Sequence, residues 1–279
     1  LLVQGNIAQE QVLTPSAAPA SFQKYLQLTA DAYQKYGEKL DLIVWPETVL
    51  SQNLLRQEPH ALHKAAALSR ELDTPLLTGA MFQDNGEVFN SILYFDKNGL
   101  SPKRYDKTKL VPFAEYFPFP DLLNSIARTN LSLGTYAPAS MHQLFSLGGK
   151  PVAGVICFES YFGNYTRSFV ARGARHLFIL SNDAWFKQTA GVNQHADVAA
   201  LRAVEMGLGT TQVANTGYTV SYNYRGEELL RSRLAEEEAL LLETNLERRV
   251  TLYSLAGDYL VFLCLLYLAS LLVWKLKNR

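Results

Sequence analysis

Three short segments of this chain set a reactive side chain at an expected strand-to-loop junction: Trp45-Pro46-Glu47, Tyr105-Asp106-Lys107 and Val155-Ile156-Cys157-Phe158-Glu159. A cysteine attacks as the thiolate, and with an ordinary pKa of about 8.5 little of that form exists at neutral pH. A base and a cation close by remove the obstacle. Glu47 can take the thiol proton, and Lys107 can stabilise both the thiolate and the oxyanion of a tetrahedral intermediate. A carboxylate beside Lys107, such as Glu115 or Glu159, would keep the ammonium charged and oriented. Singly, each residue has a plainer reading: Glu47 as a cap, Lys107 as a solvated charge, Cys157 as a small buried hydrophobe. Together they point to nucleophilic catalysis.

The elements that must position these groups are legible as an alternation of short β-rich runs and longer amphipathic stretches, the pattern of an α/β sandwich. The opening Leu1-Leu2-Val3 reads as a buried strand, and further strands are expected at 42–44, 76–78, 88–95, 151–157, 177–181, 219–224 and 239–242. Helices are expected at 21–36, 60–71, 165–172 and 194–207. Asp84-Asn85-Gly86 and Asn223-Tyr224-Arg225-Gly226 carry hairpin turn chemistry, and Gly148-Gly149 marks another hairpin with no phosphate-binding loop around it. In such a layered fold, strand-to-loop junctions present side chains at the rim of a sheet. One long connection, 111–139, holds Pro112, Phe113, Tyr116, Phe117, Pro118, Phe119 and Pro120, too many prolines for a helix or central strand. Its aromatics can form a hydrophobic lip or tuck into the core, and the apolar C-terminus favours the lip.

That C-terminus, 251–274, is almost continuously apolar, with Asp258 its single charge. A span of about 20 helical residues crosses a bilayer. Tyr253, Tyr259 and Trp274 suit the two headgroup regions, and Lys275, Lys277 and Arg279 suit a cytoplasmic tail. The competing reading is a buried helix of a soluble domain. Upstream, 26 basic and 26 acidic side chains among 279 residues leave no basic footprint, so nucleic acid is excluded as an expected partner. His60 and His63 share a helix face without a third ligand, while His142, His176 and His195 are scattered, so no metal or other cofactor is expected. Glu236-Glu237-Glu238 reads as a solvated turn. Cys157 and Cys264 lie in unlike surroundings, which argues against a disulfide.

V-W-P-E-T (44–48), Y-D-K-T-K-L-V-P-F-A-E (105–115), I-C-F-E (156–159) and S-N-D-A-W-F (181–186) occur in the order and spacing of the nitrilase or carbon-nitrogen hydrolase superfamily, which this chain resembles. More narrowly, these motifs, the opening V-Q-G-N-I and the terminal span are similar to the apolipoprotein N-acyltransferase family of bacterial inner membranes. The resemblance implies a nitrilase-like αββα sandwich over 1–250, followed by a C-terminal transmembrane helix and basic tail at 251–279. It makes Glu47 the general base, Lys107 the electrostatic stabiliser and Cys157 the nucleophile, with Glu115 and Glu159 in support. It also implies a phospholipid acyl donor, a diacylglyceryl-modified apolipoprotein as acceptor, and a catalytic domain facing the periplasm. Members of that family carry several membrane helices ahead of the catalytic domain, so a chain opening on Leu1 is expected to be a fragment. Two departures touch substrate contacts: Phe158 stands where Tyr commonly follows the cysteine, and no Trp follows V-Q-G-N-I. The same triad with water as acceptor would give a membrane-anchored amidase or nitrilase. A silent lipoprotein-binding module would not call for all three reactive groups.

Overall fold

The computed structural model describes residues 1–278 apart from 9, 12, 13, 38, 39, 100–102, 119–135, 140, 141 and 188. The first half runs β1 (Leu2–Gln4), α1 (Ala18–Tyr36), β2 (Ile43–Val44), α2 (Gln52–Gln57), α3 (Ala61–Glu71), β3 (Leu76–Asp84), β4 (Glu87–Phe95) and β5 (Lys103–Asp106). The second runs β6 (Leu144–Leu147), β7 (Lys150–Ile156), α4 (Gly163–Ala171), β8 (His176–Ser181), α5 (Ala190–Met206), β9 (Gly209–Ala214), β10 (Val220–Tyr222) and β11 (Glu228–Arg231). Next come β12 (Glu238–Leu240), α6 (Leu252–Ala256) and α7 (Tyr259–Lys277).

The strands form two six-stranded sheets, ordered β12-β1-β2-β3-β4-β5 and β11-β10-β9-β8-β7-β6. Each has a parallel centre, β1-β2-β3 in one and β7-β8-β9 in the other, with antiparallel flanks. Parallel strands need both faces covered, and β2, β8 and β9 are buried along their whole length. On one face of the first sheet, Val3, Ile43, Trp45 and Leu93 pack with Phe22, Leu54 and Ala65 of α1, α2 and α3. Its other face meets the second sheet, where Val44, Leu77 and Ile92 join Val155, Phe178 and Leu180 in one core with Phe169 of α4 and Ala199 of α5. The sheets approach closely at Gly154, where an added Cβ would lie 2.8 Å from Ile92 Cδ1. Tyr94 and Phe145 stack across the interface with ring centroids 5.7 Å apart. This is the nitrilase-like arrangement of two sheets between helical layers.

Turn chemistry sets the hairpins as expected. Asn85 and Gly86 take φ 48° and 85°, the left-handed pair that a two-residue turn between Asp84 and Glu87 requires. Strand β9 and helix α2 have no counterpart in the sequence reading, which implies β5, β6 and β11 only through their junction or turns and gives them no range. The terminal span is the other difference: Gly257, at φ 60°, breaks 251–274 into α6 and a separate α7. Helix α7 has 19 residues, and no part of its apolar window, of mean hydropathy 2.1, is buried. At 1.5 Å per residue it is about 28 Å long, near the hydrocarbon thickness of a bilayer. Lys275 and Lys277 belong to its last turn and are not a detached tail. Its start is tied to the body: Asp258 accepts from Tyr253 Oη at 3.1 Å and from Asn164 Nδ2. Of the 111–139 connection, Phe113 is 65% exposed while Tyr116 and Phe117 are half-buried. Phe119 and Pro120 lie outside the described residues.

Candidate active site

Glu47, Lys107 and Cys157 each follow the carboxyl end of a strand, β2, β5 and β7, on one rim of the sandwich, the edge where open α/β sheets gather ligands. The Glu47 turn is packed onto β3. Thr48 takes φ 66°, Gly79 donates its N–H to Pro46 O at 3.0 Å, and an added Cβ at Gly79 would lie 2.5 Å from Glu47 Cα. Only glycine fits there. Trp45, fully buried, anchors the strand end by donating Nε1–H to Thr29 Oγ1 at 2.9 Å. Lys107 donates its backbone N–H to Asn90 O at 2.8 Å, which fixes it beside β4. Cys157 leaves β7 at φ 49°, a left-handed conformation unusual for a side-chain-bearing residue and a form of strain that clusters at functional sites.

The charged groups converge. Lys107, 1% exposed, donates to Glu115 Oε1 at 2.7 Å and lies 3.8 Å from Glu47 Oε1. Glu47 accepts from Asn90 Nδ2 at 2.7 Å and from the Asn182 backbone N–H at 2.9 Å. Glu115 Oε2 accepts from Val111 N at 2.8 Å, which holds the start of the long connection against the site. Burial pushes the Glu47 carboxyl above its ordinary value; the Lys107 charge and the two hydrogen bonds oppose that shift and Glu115 adds to it. Burial alone would lower the Lys107 ammonium, but Glu47, Cys157 and Glu115 outweigh it and raise the lysine above its ordinary value. For the half-buried Cys157, desolvation and the Glu47 charge push the thiol well up, only partly offset by Lys107 and by a hydrogen bond with Ser181. This environment favours the neutral thiol at rest, with a carboxyl group and an ammonium close by.

Of the two carboxylates expected beside Lys107, Glu115 makes the contact and Glu159 does not. Glu159, fully buried, accepts from Thr108 N (2.7 Å) and Lys109 N (3.0 Å) with one oxygen, and from Tyr105 Oη (2.6 Å) and Ile156 N (2.9 Å) with the other. It clamps the segment after Lys107 to the segment before Cys157. Phe158 packs against Tyr161 and Phe162, ring centroids 5.8 and 5.1 Å apart. With Lys109, Leu110, Pro112, Tyr116 and Pro138, Phe158 and Phe162 line an apolar groove of about 500 Å³.

Two residues without a role in the sequence reading also sit at Cys157. His195, read as scattered, is fully buried and binds Asp183 at 2.8 Å through Nδ1; Asp183 lies within the S-N-D-A-W-F motif but was given no role. Ligand-type atoms of Cys157, Asp183 and His195 lie within 4.8 Å of one another. Their hydrogen bonds to each other and to Ser160, Ser181 and Gln212 make this a satisfied polar cluster, and not an open set of metal donors. The signal available in sequence was an acid just after β8 and a histidine on the next helix, a spacing too common to stand out.

Two curated relatives named apolipoprotein N-acyltransferase are similar to this chain. The one from Photobacterium profundum is 30% identical over 287 residues, covering 100% of this chain and 54% of that protein. The Geobacter metallireducens protein is 31% identical, covering 94% and 51%. The chain thus spans about half the length of these relatives. Among solved structures, a Saccharomyces cerevisiae member of branch 10 of the nitrilase superfamily has a TM-score of 0.65 at 15% identity, covering 85% of this chain and 86% of that one. An amidase from Nesterenkonia sp. AN1 has a TM-score of 0.62 at 15% identity, covering 85% and 89%; at this identity the likeness speaks to the fold. A family model, carbon-nitrogen hydrolase, matches residues 2–249, and the chain belongs to that family.

Proposed function

We propose that this chain carries the catalytic part of an apolipoprotein N-acyltransferase, with residues 1–250 as the catalytic domain and 251–279 as a membrane anchor. The observation that carries the reading is the placement of the apolar groove. Its walls include Thr108 and Phe158, the immediate neighbours of Lys107 and Cys157. Through Lys109 and Phe162 it adjoins a polar pocket bordered by Tyr253 and Asp258 at the foot of α7. An acyl chain entering from a bilayer spanned by α7 would find an apolar groove beside the residues that flank Lys107 and Cys157.

Cys157 Sγ attacks the carbonyl carbon of a phospholipid ester while Glu47 takes the thiol proton. Lys107, held positive by Glu115, stabilises the oxyanion. Collapse breaks the carbon-oxygen bond, the lysophospholipid oxygen takes the proton from Glu47, and an S-acyl thioester remains. The α-amino group of a diacylglyceryl-cysteine then attacks the thioester. Glu47 takes the amine proton and returns it to the departing sulfur, leaving an amide. The thioester is already activated, so no ATP is needed. Lys275 and Lys277 at the end of α7, set against Arg248 and Arg249 upstream, support a cytoplasmic C-terminus, and with it a catalytic domain facing the periplasm.

The test is intact-protein mass spectrometry after incubation with phospholipid vesicles. An acyl-sized adduct, removed by hydroxylamine, discharged by a lipopeptide amine and absent in Cys157→Ala, is expected. No adduct from phospholipid, together with ammonia release from soluble amides, would turn the assignment to a hydrolase.

A further inference from the structure

Cys157 is held from two sides by groups outside the Glu47-Lys107 cluster. Ser160 Oγ donates to the Cys157 carbonyl at 2.8 Å, and His195 Nε2 faces both that carbonyl, at 3.4 Å, and Ser160 Oγ, at 3.3 Å. On the other side of the imidazole, Nδ1 lies 2.8 Å from Asp183 Oδ1, an oxygen that already accepts from Ser181 Oγ at 2.5 Å; Gln212 Nε2 donates to Asp183 Oδ2 at 3.3 Å. Ser181 is also the hydrogen-bond partner of the Cys157 thiol.

Proton accounting favours a charged ring. Asp183 receives donors, so Nδ1 must carry a proton. Ser160 spends its own proton on the Cys157 carbonyl, so both atoms facing Nε2 present lone pairs. A neutral imidazole protonated at Nδ1 would aim a further lone pair at them. With Ser160 donating to the carbonyl, a ring protonated at both nitrogens is the form that satisfies every contact. The Tyr161 ring stacks on the imidazole at 5.6 Å with 9° between planes, an arrangement that favours a cation. The titratable groups facing His195 are Asp183, Cys157 and Tyr161, with the Glu47 charge further off. Burial opposes the charge, but the Asp183 bond and its negative charge prevail and hold the histidine above its ordinary value.

We propose that His195 is a fixed imidazolium and a positioning residue for Cys157: paired with Asp183, it holds the carbonyl of the left-handed residue in place and cancels a carboxylate charge that would otherwise oppose the thiolate. This rests on the reading of Cys157 as the nucleophile. It differs from a cysteine-histidine dyad, because Nε2 engages the main chain of Cys157 and Glu47 remains the base.

The test measures the thiol itself. Cys157 is alkylated with iodoacetamide at pH 8 in detergent-solubilised protein, and peptide mass spectrometry separates it from Cys264. His195→Gln leaves Asp183 uncompensated near the sulfur, and an added charge at about 4–6 Å shifts a pKa by about one unit or more, so alkylation should slow at least about tenfold. Asp183→Asn combined with His195→Gln should regain most of that loss. An unchanged rate in His195→Gln, or a double variant as slow as the single one, overturns the proposal. In the wild-type protein, ring nitrogen NMR should find both His195 nitrogens protonated at pH 8, and a neutral tautomer would also overturn it; this measurement does not depend on a variant folding. Alkylation needs no acyl donor, so an intact alkylation pattern without thioester formation would refute the acyltransferase reading alone.

Discussion

Replacing Glu159 by Gln changes one atom and should break the clamp between two reactive segments. The carboxylate presents two acceptor oxygens to four donors: Thr108 N and Lys109 N on one side, Tyr105 Oη and Ile156 N on the other. Gln keeps one acceptor. With its oxygen toward Thr108 and Lys109, the amide NH2 meets Tyr105 and Ile156. The tyrosine hydroxyl can turn and accept, but the Ile156 N–H loses its partner. The flipped amide orphans two backbone donors. The better arrangement leaves one buried N–H unpaired, which costs about 1–3 kcal/mol. At about 2–4 °C per kcal/mol for a domain of this size, the melting temperature should fall by several degrees. The rate should fall further than stability requires, because Ile156 precedes Cys157 and Thr108 follows Lys107, and a shift of about 1 Å can cost about a hundredfold in rate. Differential scanning fluorimetry and single-turnover thioester formation at a temperature where both proteins are folded measure the two effects. Glu237→Gln serves as the control, since its partner Lys24 is at the surface, where an ion pair is worth about 0–1 kcal/mol. A Glu159→Gln protein with wild-type melting temperature and rate would refute the clamp.

Four further outcomes follow from the same structure. Acylation should rise with pH through a step above the ordinary carboxylate range, because burial raises Glu47 and only its ionised form can take the thiol proton; the pH-rate profile of thioester formation checks this, and a step at or below the ordinary glutamate value would contradict it. No alkaline loss attributable to Lys107 is expected up to its ordinary value, because its neighbours raise it. Gly79→Ala should displace the Glu47 turn, since the new Cβ would sit 2.5 Å from Glu47 Cα; overpacking costs about 1–3 kcal/mol, and both melting temperature and single-turnover rate should drop. In sealed cells, a membrane-impermeant maleimide should leave Cys264, within the apolar stretch of α7, unlabelled and should reach Asn278→Cys only after the cytoplasmic side is opened. Labelling of Asn278→Cys from the outside would invert the proposed orientation.

The parallel strands and long helices were readable because burial on both faces writes continuous apolar runs, as in β7 and β8, and one-sided burial writes helical periodicity, as in α1. Strand β9 was not readable. Its Gly-Thr-Thr-Gln-Val-Ala run is entirely buried, yet much of its polarity is answered by partners outside the strand: Thr211 by His176 and Ser221, and the Gln212 amide N–H groups by Asp183 and Tyr218 O. A local pattern cannot register such compensation. The same limit divided the site. Glu47 and Cys157 stand out because each follows an apolar run, and Lys107 because it sits in the Y-D-K-T-K motif, whereas Asp183 and His195 acquire meaning only when β8 and α5 bring them together. Glu115 and Glu159 were visible as carboxylates near the site, but which would hold Lys107 and which would hold the backbone depended on the course of the chain between 107 and 115.

A thiol pushed up by burial looks at first like a poor nucleophile, but the proton has a destination inside the same cluster. Burial raises Glu47 as well, so the environment that disfavours the thiolate also favours the protonated base, and the two shifts oppose each other in the transfer from Cys157 to Glu47. The step moves a negative charge from one buried atom to another and creates none. Lys107 touches both ends of that movement: it lies 3.8 Å from Glu47 Oε1, and the sulfur is among the charges that raise it. Glu115 keeps its ammonium from following the proton. On the proposed mechanism the thiolate is formed when a carbonyl is there to receive it and need not wait free in the resting site. Loss of Lys107 in a Lys107→Met variant should therefore slow acylation more than alkylation of the thiol, because only acylation builds an oxyanion beside the missing charge.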